Sequence, residues 1–214
     1  MKKTPEIADR RDRSGCTAIM VLITPTHLIC ANSGDSRSVY CTGGATVPLS
    51  FDHKPFHPAE LKRIDAAGGY VSMKRVDGDL AVSRALGDFQ YKDRPDLKAE
   101  EQKVTANPDV EVKERAAGDE FVIISCDGIW DVVENPDAVA LVHAMLAEGE
   151  SDPLTISEEV LDQCLEKGSK DNMTTCIVLM EGHKVGEGGG VKARRAKRGE
   201  EAKAKEEAEE AAKE

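Results

Sequence analysis

Between residues 17 and 50 the chain alternates short apolar runs with turn-forming breaks. The runs are TAIMVLIT, HLICANS, SRSVYC and ATVPLS, and the breaks are Pro25, Gly34–Asp35 and Gly43–Gly44. Apolar runs of this length predict strands, and links this short suit antiparallel neighbours, so the pattern predicts a four-stranded meander. PAELKRIDAAGG follows as a predicted helix, with Pro58 near its first turn and Gly68 or Gly69 as its stop. Residues 74–110 hold short apolar pieces, a Gly87–Asp88 turn and the charged stretch YKDRPDLKAEEQK. They predict an irregular surface excursion, a kind of segment that is often functional. From Asp119 the pattern sharpens. EFVIISCD predicts a buried strand, and ENPDAVALVHAMLAEG an amphipathic helix with Asn135 as N-cap and Pro136 at its start. SEEVLDQCLEKG predicts a second helix closed by Gly168, and TTCIVLME a final strand. Strands in hairpin order followed by paired helices predict an α+β class, not a parallel α/β sheet.

After Gly182 the composition collapses into GEGGG, KARRAKR and EEAKAKEEAEEAAKE. The last piece has helix-forming residues but no apolar face, which predicts a solvated helix or a disordered tail. The expected organisation is a charged leading segment at 1–13, a domain at 14–184 and a low-complexity tail at 185–214. KARRAKR matches a nuclear address or an anionic-surface contact, but a solvated extension is the simpler reading.

Composition narrows the classes. Hydrophobic residues make up 40% of the 214 and aromatics only 4%, so the core must be built from Val, Ile, Leu, Ala and Met. The longest apolar run, AIMVLI at 18–23, is far short of a membrane span. The N-terminus, MKKTPEIADRRDR, is charged, unlike a secretory signal, so an intracellular protein (cytoplasmic, nuclear or both) is expected. The six cysteines form no CxxC pair and lie mostly in apolar patterns, which predicts reduced thiols with neither disulfides nor a zinc site. Net charge is −11, and residues 185–214 hold eight basic and eight acidic side chains, so the acidity belongs to the domain. That argues against nucleic-acid binding and is compatible with holding dications.

Three aspartates punctuate the strand-like runs: Asp35 in HLICANSGDSRSVY, Asp127 in FVIISCDGIWD and Asp171 in KDNMTTCIVLM. A carboxylate at the rim of an apolar strand is costly unless its charge is offset. One such residue commonly caps a turn. Three gathered by a sheet would make a site for a hard cation, Mg²⁺ or Mn²⁺, both of which accept oxygen ligands.

The ordered motifs SGCTA (14–18), ANSGDSR (31–37), DHKP (52–55), AAGGYV (66–71), GDLAVSRALGD (78–88), DEFVIISCDGIWDV (119–132) and KDNMT (170–174) resemble the 2C-type metal-dependent serine/threonine protein phosphatases, the PPM family. The likeness covers roughly residues 14–181. It implies a β-sandwich of two antiparallel sheets flanked by helix pairs, with two divalent ions in a cleft at one end. It also implies phosphoprotein substrates hydrolysed by direct attack of a metal-activated water, with no phospho-enzyme. By the same resemblance Asp127 and Asp171 match ligands of the first metal, and Asp35 an outer aspartate near a weaker third position. Asp131 matches a water-mediated partner, with Gly128 and Asn172 as backbone support. Arg84, in SRALGDF, matches a flap beside the cleft, where it would contact substrate or form an ion pair. His53 and Lys54 of DHKP are expected to build a turn, Trp130 to pack in the core, and His27 and His143 to be structural.

The family pattern begins upstream of SGCTA with a phosphate-binding arginine, an acidic ligand and a DGHGG motif that bridges the metals. No DGH occurs in this sequence, and thirteen residues precede Ser14. The chain resembles the C-terminal two-thirds of such a domain, with N-terminal strands and motifs missing and no catalytic residue identifiable. An uncovered sheet face is then expected, which invites association. The rival reading is a non-catalytic pseudophosphatase serving as a docking module. The retained aspartates favour part of a working phosphatase.

Overall fold

The computed structural model describes residues 13–211, so the leading segment, Arg13 apart, lies outside the described residues. The chain divides into two compact units, one of Met1–Val39, Pro48–Arg115 and Ile124–Asp127, the other of Tyr40–Val47, Ala116–Ile123 and Gly128–Glu214.

The first apolar runs form strands close to the predicted places: β1 (Gly15–Cys16), β2 (Ala18–Ile23), β3 (His27–Ser33), β4 (Arg37–Thr42) and β5 (Ala45–Pro48). They do not make one meander. β2 pairs antiparallel with β3, from Ala18↔Ser33 to Ile23↔Leu28. The other edge of β3 is taken by β9 (Asp109–Glu114), in register from His27↔Glu114 to Asn32↔Asp109. β4 instead joins a sheet of order β11-β10-β4-β5, with β10 at Asp119–Ser125 and β11 at Thr175–Leu179. The chain therefore changes sheets at Gly34–Asp35, a link whose local composition looks like an ordinary hairpin. Gly34 has φ +129° there, and a Cβ would lie 2.3 Å from the Thr17 methyl. Only glycine fits both demands.

Alternation along the antiparallel sheet puts Leu28 and Cys30 inside. Its opposite face carries two registered rows, Met20–Ala31–Val110 and Leu22–Ile29–Val112. Met20, Leu22, Val110 and Val112 are each more than half exposed.

Within the first unit, α1 (Pro58–Ala66) ends as expected before Gly68, whose φ of +79° suits the turn. β6 (Val71–Ser72) pairs with β7 (Arg75–Val76), and β7 and β8 (Leu86–Gly87) lie in the segment expected to be irregular. It is not loose. Val76, Ala85, Tyr91 and Val104 bury themselves with Ile64 of α1 in a core of their own.

In the second unit a single turn, α2 (Asp127–Trp130), is followed by α3 (Asn135–Ala147) and α4 (Pro153–Glu166). α3 begins one residue earlier than expected, with Glu134 as its N-cap. α4 begins four residues, about one turn, before SEEVL. Asp152 caps it by accepting from Leu154 and Thr155 amides, and Pro153 fills the first position. α4 packs along β11 and against α3.

The tail departs from expectation. Residues Gly190–Ala211 form α5, and its start is docked on α3 and α4. The glycine run completes the end of α3: the Gly186 amide donates to the Leu146 carbonyl and the Gly190 amide to that of Glu148. Val191 is buried, Arg194 pairs with Glu148 at 2.7 Å, and Arg195 and Arg198 reach fully buried Glu159 at 2.8 and 2.7 Å. Burial opposes the Glu159 charge, but bonds from Arg195, Gln163 and Arg198 outweigh it and hold the carboxyl below its usual range. Arginines, not an apolar stripe, fix this helix. Deleting 185–214 should lower the melting temperature, by about 2–4 °C per kcal/mol lost. An unchanged melting curve would show that the docking contributes nothing.

Candidate metal centre

The site grows from the end of β10. Phe121, Val122 and Ile123 bury the strand, which fixes the position of the DGIWD turn that follows it. Asp127 opens that turn and Asp131 follows it four residues on, so the helical repeat sets the two carboxylates on one side. Asp171 leads into β11, and its carboxylate accepts from the Asn172 amide at 2.7 Å. One carboxylate oxygen from each of Asp127, Asp131 and Asp171 lies within 4.8 Å of the other two. Asp131 and Asp171 line an open depression of about 450 Å³ with Val132, Gly168, Ser169 and Lys170.

Two backbone features hold the KDN loop against the turn. Ser169 donates its hydroxyl to the Gly128 carbonyl at 2.8 Å. A Cβ on Gly128 would stand 2.4 Å from the Asn172 carbonyl oxygen, closer than any side chain permits. Glycine is required at 128 by this approach of backbone to backbone. Trp130 is buried beside it, as its core role anticipates.

Asp35 does not join the group. It is buried at the sheet crossing, and Lys54 Nζ donates to it at 2.6 Å. Burial opposes the charge of Lys54, but Asp35, Asp52 and Asp127 together outweigh it and raise the ammonium pKa. Lys54 thus serves as the counter-charge of Asp35, a role that the turn reading of DHKP leaves out. His53 latches the same loop: its Nδ1 accepts from the Gly34 amide at 3.1 Å, so Nε2 carries the proton and faces Asp109 at 3.0 Å.

Arg84 lies in an ion-pair network within the first unit. Its guanidinium donates to Glu60 (2.7 Å), Asp109 (2.6 Å) and the Asn107 carbonyl (3.1 Å), and is nearly buried. These bonds occupy Nε and both terminal nitrogens, the ion-pair arrangement that is one of the two alternatives its motif leaves open. The hub is Glu60 on α1, which also accepts from Arg63 and the Ser83 hydroxyl. Nothing in PAELKRIDA marks this glutamate, since its partners Ser83 and Arg84 lie more than twenty residues away.

The three clustered carboxylates repel one another, and their oxygen donors fit a hard divalent cation. The pattern described for protein phosphatase 2C matches residues 1–173. Among curated proteins, the chain is 47% identical over 167 residues to protein phosphatase ppm-1.A of Caenorhabditis elegans, covering 78% of this chain and 35% of that one. It is 45% identical over 178 residues to protein phosphatase 1B of Rattus norvegicus, covering 83% of this chain and 45% of the relative. The chain thus spans less than half the length of these relatives. Among solved structures, a phosphatase of Toxoplasma gondii matches with a TM-score of 0.69 and 35% identity over 74% of this chain and 50% of its own. A sex-determining protein of C. elegans matches with a TM-score of 0.68 and 27% identity over 80% of this chain and 42% of its own. The strand-end aspartates, the α+β topology and a family match that runs through the KDN loop agree: this chain belongs to the protein phosphatase 2C family.

Proposed function

We propose that this chain carries part of the catalytic centre of a metal-dependent protein phosphatase acting on phosphoserine and phosphothreonine. The observation that carries the reading is the convergence of Asp127, Asp131 and Asp171 within 4.8 Å. Asp127 and Asp171 would hold Mg²⁺ or Mn²⁺ directly, and Asp131 directly or through water. Bound there, the cations would lower the pKa of a water and neutralise charge on the phosphoryl oxygens. The chain's own task is placement. β10 and the α2 turn fix Asp127, and the Gly128–Asn172 approach fixes Asp171. Substrates would be phosphoproteins. The retained acidic set favours a catalytic centre over a docking module.

The test supplies what the family pattern places upstream of SGCTA. Joined to a DGHGG-bearing segment of a relative, the chain should hydrolyse a phosphothreonine peptide in Mn²⁺, and Asp127→Ala or Asp171→Asn should lower the rate at least about 100-fold. Full activity in Asp127→Ala would remove the role assigned to that carboxylate.

A further inference from the structure

A second convergence of ligand atoms lies within the second unit, made by residues that the phosphatase reading leaves unused. Cys41 on β4, Glu120 on β10 and His143 on α3 bring Sγ, a carboxylate oxygen and Nε2 within 4.8 Å of one another. Sγ to Nε2 is 3.1 Å, Nε2 to Glu120 Oε2 3.2 Å, and Sγ to Glu120 Oε1 3.7 Å. The thiol and the carboxylate meet the same ring nitrogen. A catalytic relay would have the carboxylate on one ring nitrogen and the thiol on the other. Three atoms that all face one another are instead arranged as donors around a point. For a tetrahedral zinc ion with ordinary bond lengths, the donor atoms would stand roughly 3.4–3.6 Å apart. The observed separations bracket that range within a few tenths of an ångström.

The surroundings also suit a metal. Cys41 is fully buried and Glu120 nearly so, while His143 is partly exposed. Glu120 and His143 line a cavity of about 770 Å³ that gives an ion a way in and leaves room for a fourth ligand from solvent. The Gly44 amide donates to Glu120 Oε1 at 2.7 Å and orients the carboxylate, and the Phe121 ring stands edge-on to His143 with centroids 5.3 Å apart. Such supporting contacts are what hold ligands in place around zinc. Thiolate, imidazole and carboxylate together select a softer cation than three carboxylates do, so this site would be chemically distinct from the aspartate cluster.

We propose that Cys41, Glu120 and His143 form a binding site for zinc or a zinc-like transition-metal ion, one that ties β4, β10 and α3 together. On binding, the Cys41 thiol gives its proton to solvent and the sulfur–metal bond forms, with no oxidant or reductant required.

The probe is Co²⁺ alone, added to the full chain under reducing conditions, because sulfur-to-cobalt charge transfer in the near ultraviolet reports a bound thiolate. One equivalent should produce the band, and Zn²⁺ should abolish it by displacement. Cys41→Ser should remove it, and His143→Gln should weaken binding by more than about 100-fold. Asp171→Asn should leave it intact, which separates this site from the phosphatase centre. Because Cys41 is fully buried and a change there risks the fold, the more exposed His143→Gln, checked by an unchanged melting curve without metal, is the deciding variant. No charge-transfer band, or a band that persists in either variant, would overturn the site.

Discussion

Replacing Glu60 by alanine should destabilise the protein by about 3 kcal/mol, near the lower end of what breaking a buried ion pair costs. Glu60 accepts from Arg63 at 2.7 Å, from Arg84 at 2.7 Å and from the Ser83 hydroxyl at 2.6 Å, all with little exposure to water. The variant leaves two arginines without their shared anion. Arg63 keeps the carbonyls of Ser83 and Gln102, and Arg84 keeps Asp109, which holds the cost down. Burial by itself raises the Glu60 pKa, but the bonds from Arg84, Ser83 and Arg63 outweigh it and bring the carboxyl from 4.5 to about 2. A depressed carboxyl pKa stabilises the fold fully above the unfolded value and loses that contribution as pH falls through the folded one. Acid should therefore remove roughly 3 kcal/mol between about pH 4.5 and pH 2 through this residue. In Glu60→Gln, urea titrations across that window should show a flatter pH dependence. A loss below about 1 kcal/mol in the alanine variant would mean that the network is worth no more than a surface pair.

Gly128→Ala should damage the aspartate cluster without touching a carboxylate. The added methyl would meet the Asn172 carbonyl at 2.4 Å, and backbone on both sides leaves no flexible side chain to yield. Such overpacking costs about 1–3 kcal/mol, and relief requires the KDN loop to move away from the DGIWD turn. Asp171 adjoins Asn172, so the three-carboxylate geometry should open as the loop shifts. Calorimetric titration with Mn²⁺ should show affinity lowered by more than about tenfold, with a lowered melting temperature alongside. Wild-type affinity in this variant would show that the approach of the two loops is incidental to binding.

What could be read from the letters follows the range of the interactions. α1, α3 and the strands announce themselves by local periodicity, and Asp127, Asp131 and Asp171 by short motifs at strand ends. The sheet change at Gly34–Asp35 was hidden because the partner of β3 is β9, supplied more than seventy residues later. Glu60 with Arg84, and Cys41 with His143, are pairs separated by 24 and 102 residues, and no window along the chain contains both ends. The motif around Arg84 names a neighbourhood, whereas Glu60 and Asp109 decide where the guanidinium points. The docking of α5 has no local signal either, because its arginines find their carboxylate partners at the end of α3 and on α4.

The docking of α5 bears on how cellular machinery would meet this protein. Of the seven residues in KARRAKR, Arg194, Arg195 and Arg198 have their guanidinium groups engaged by Glu148, Glu159, Asp162 and Glu166. A transport receptor or a polyanion that drew Arg195 and Arg198 to itself would strand Glu159 without its counter-charges. An outside anion that takes these three guanidinium groups therefore competes with attachment of the helix.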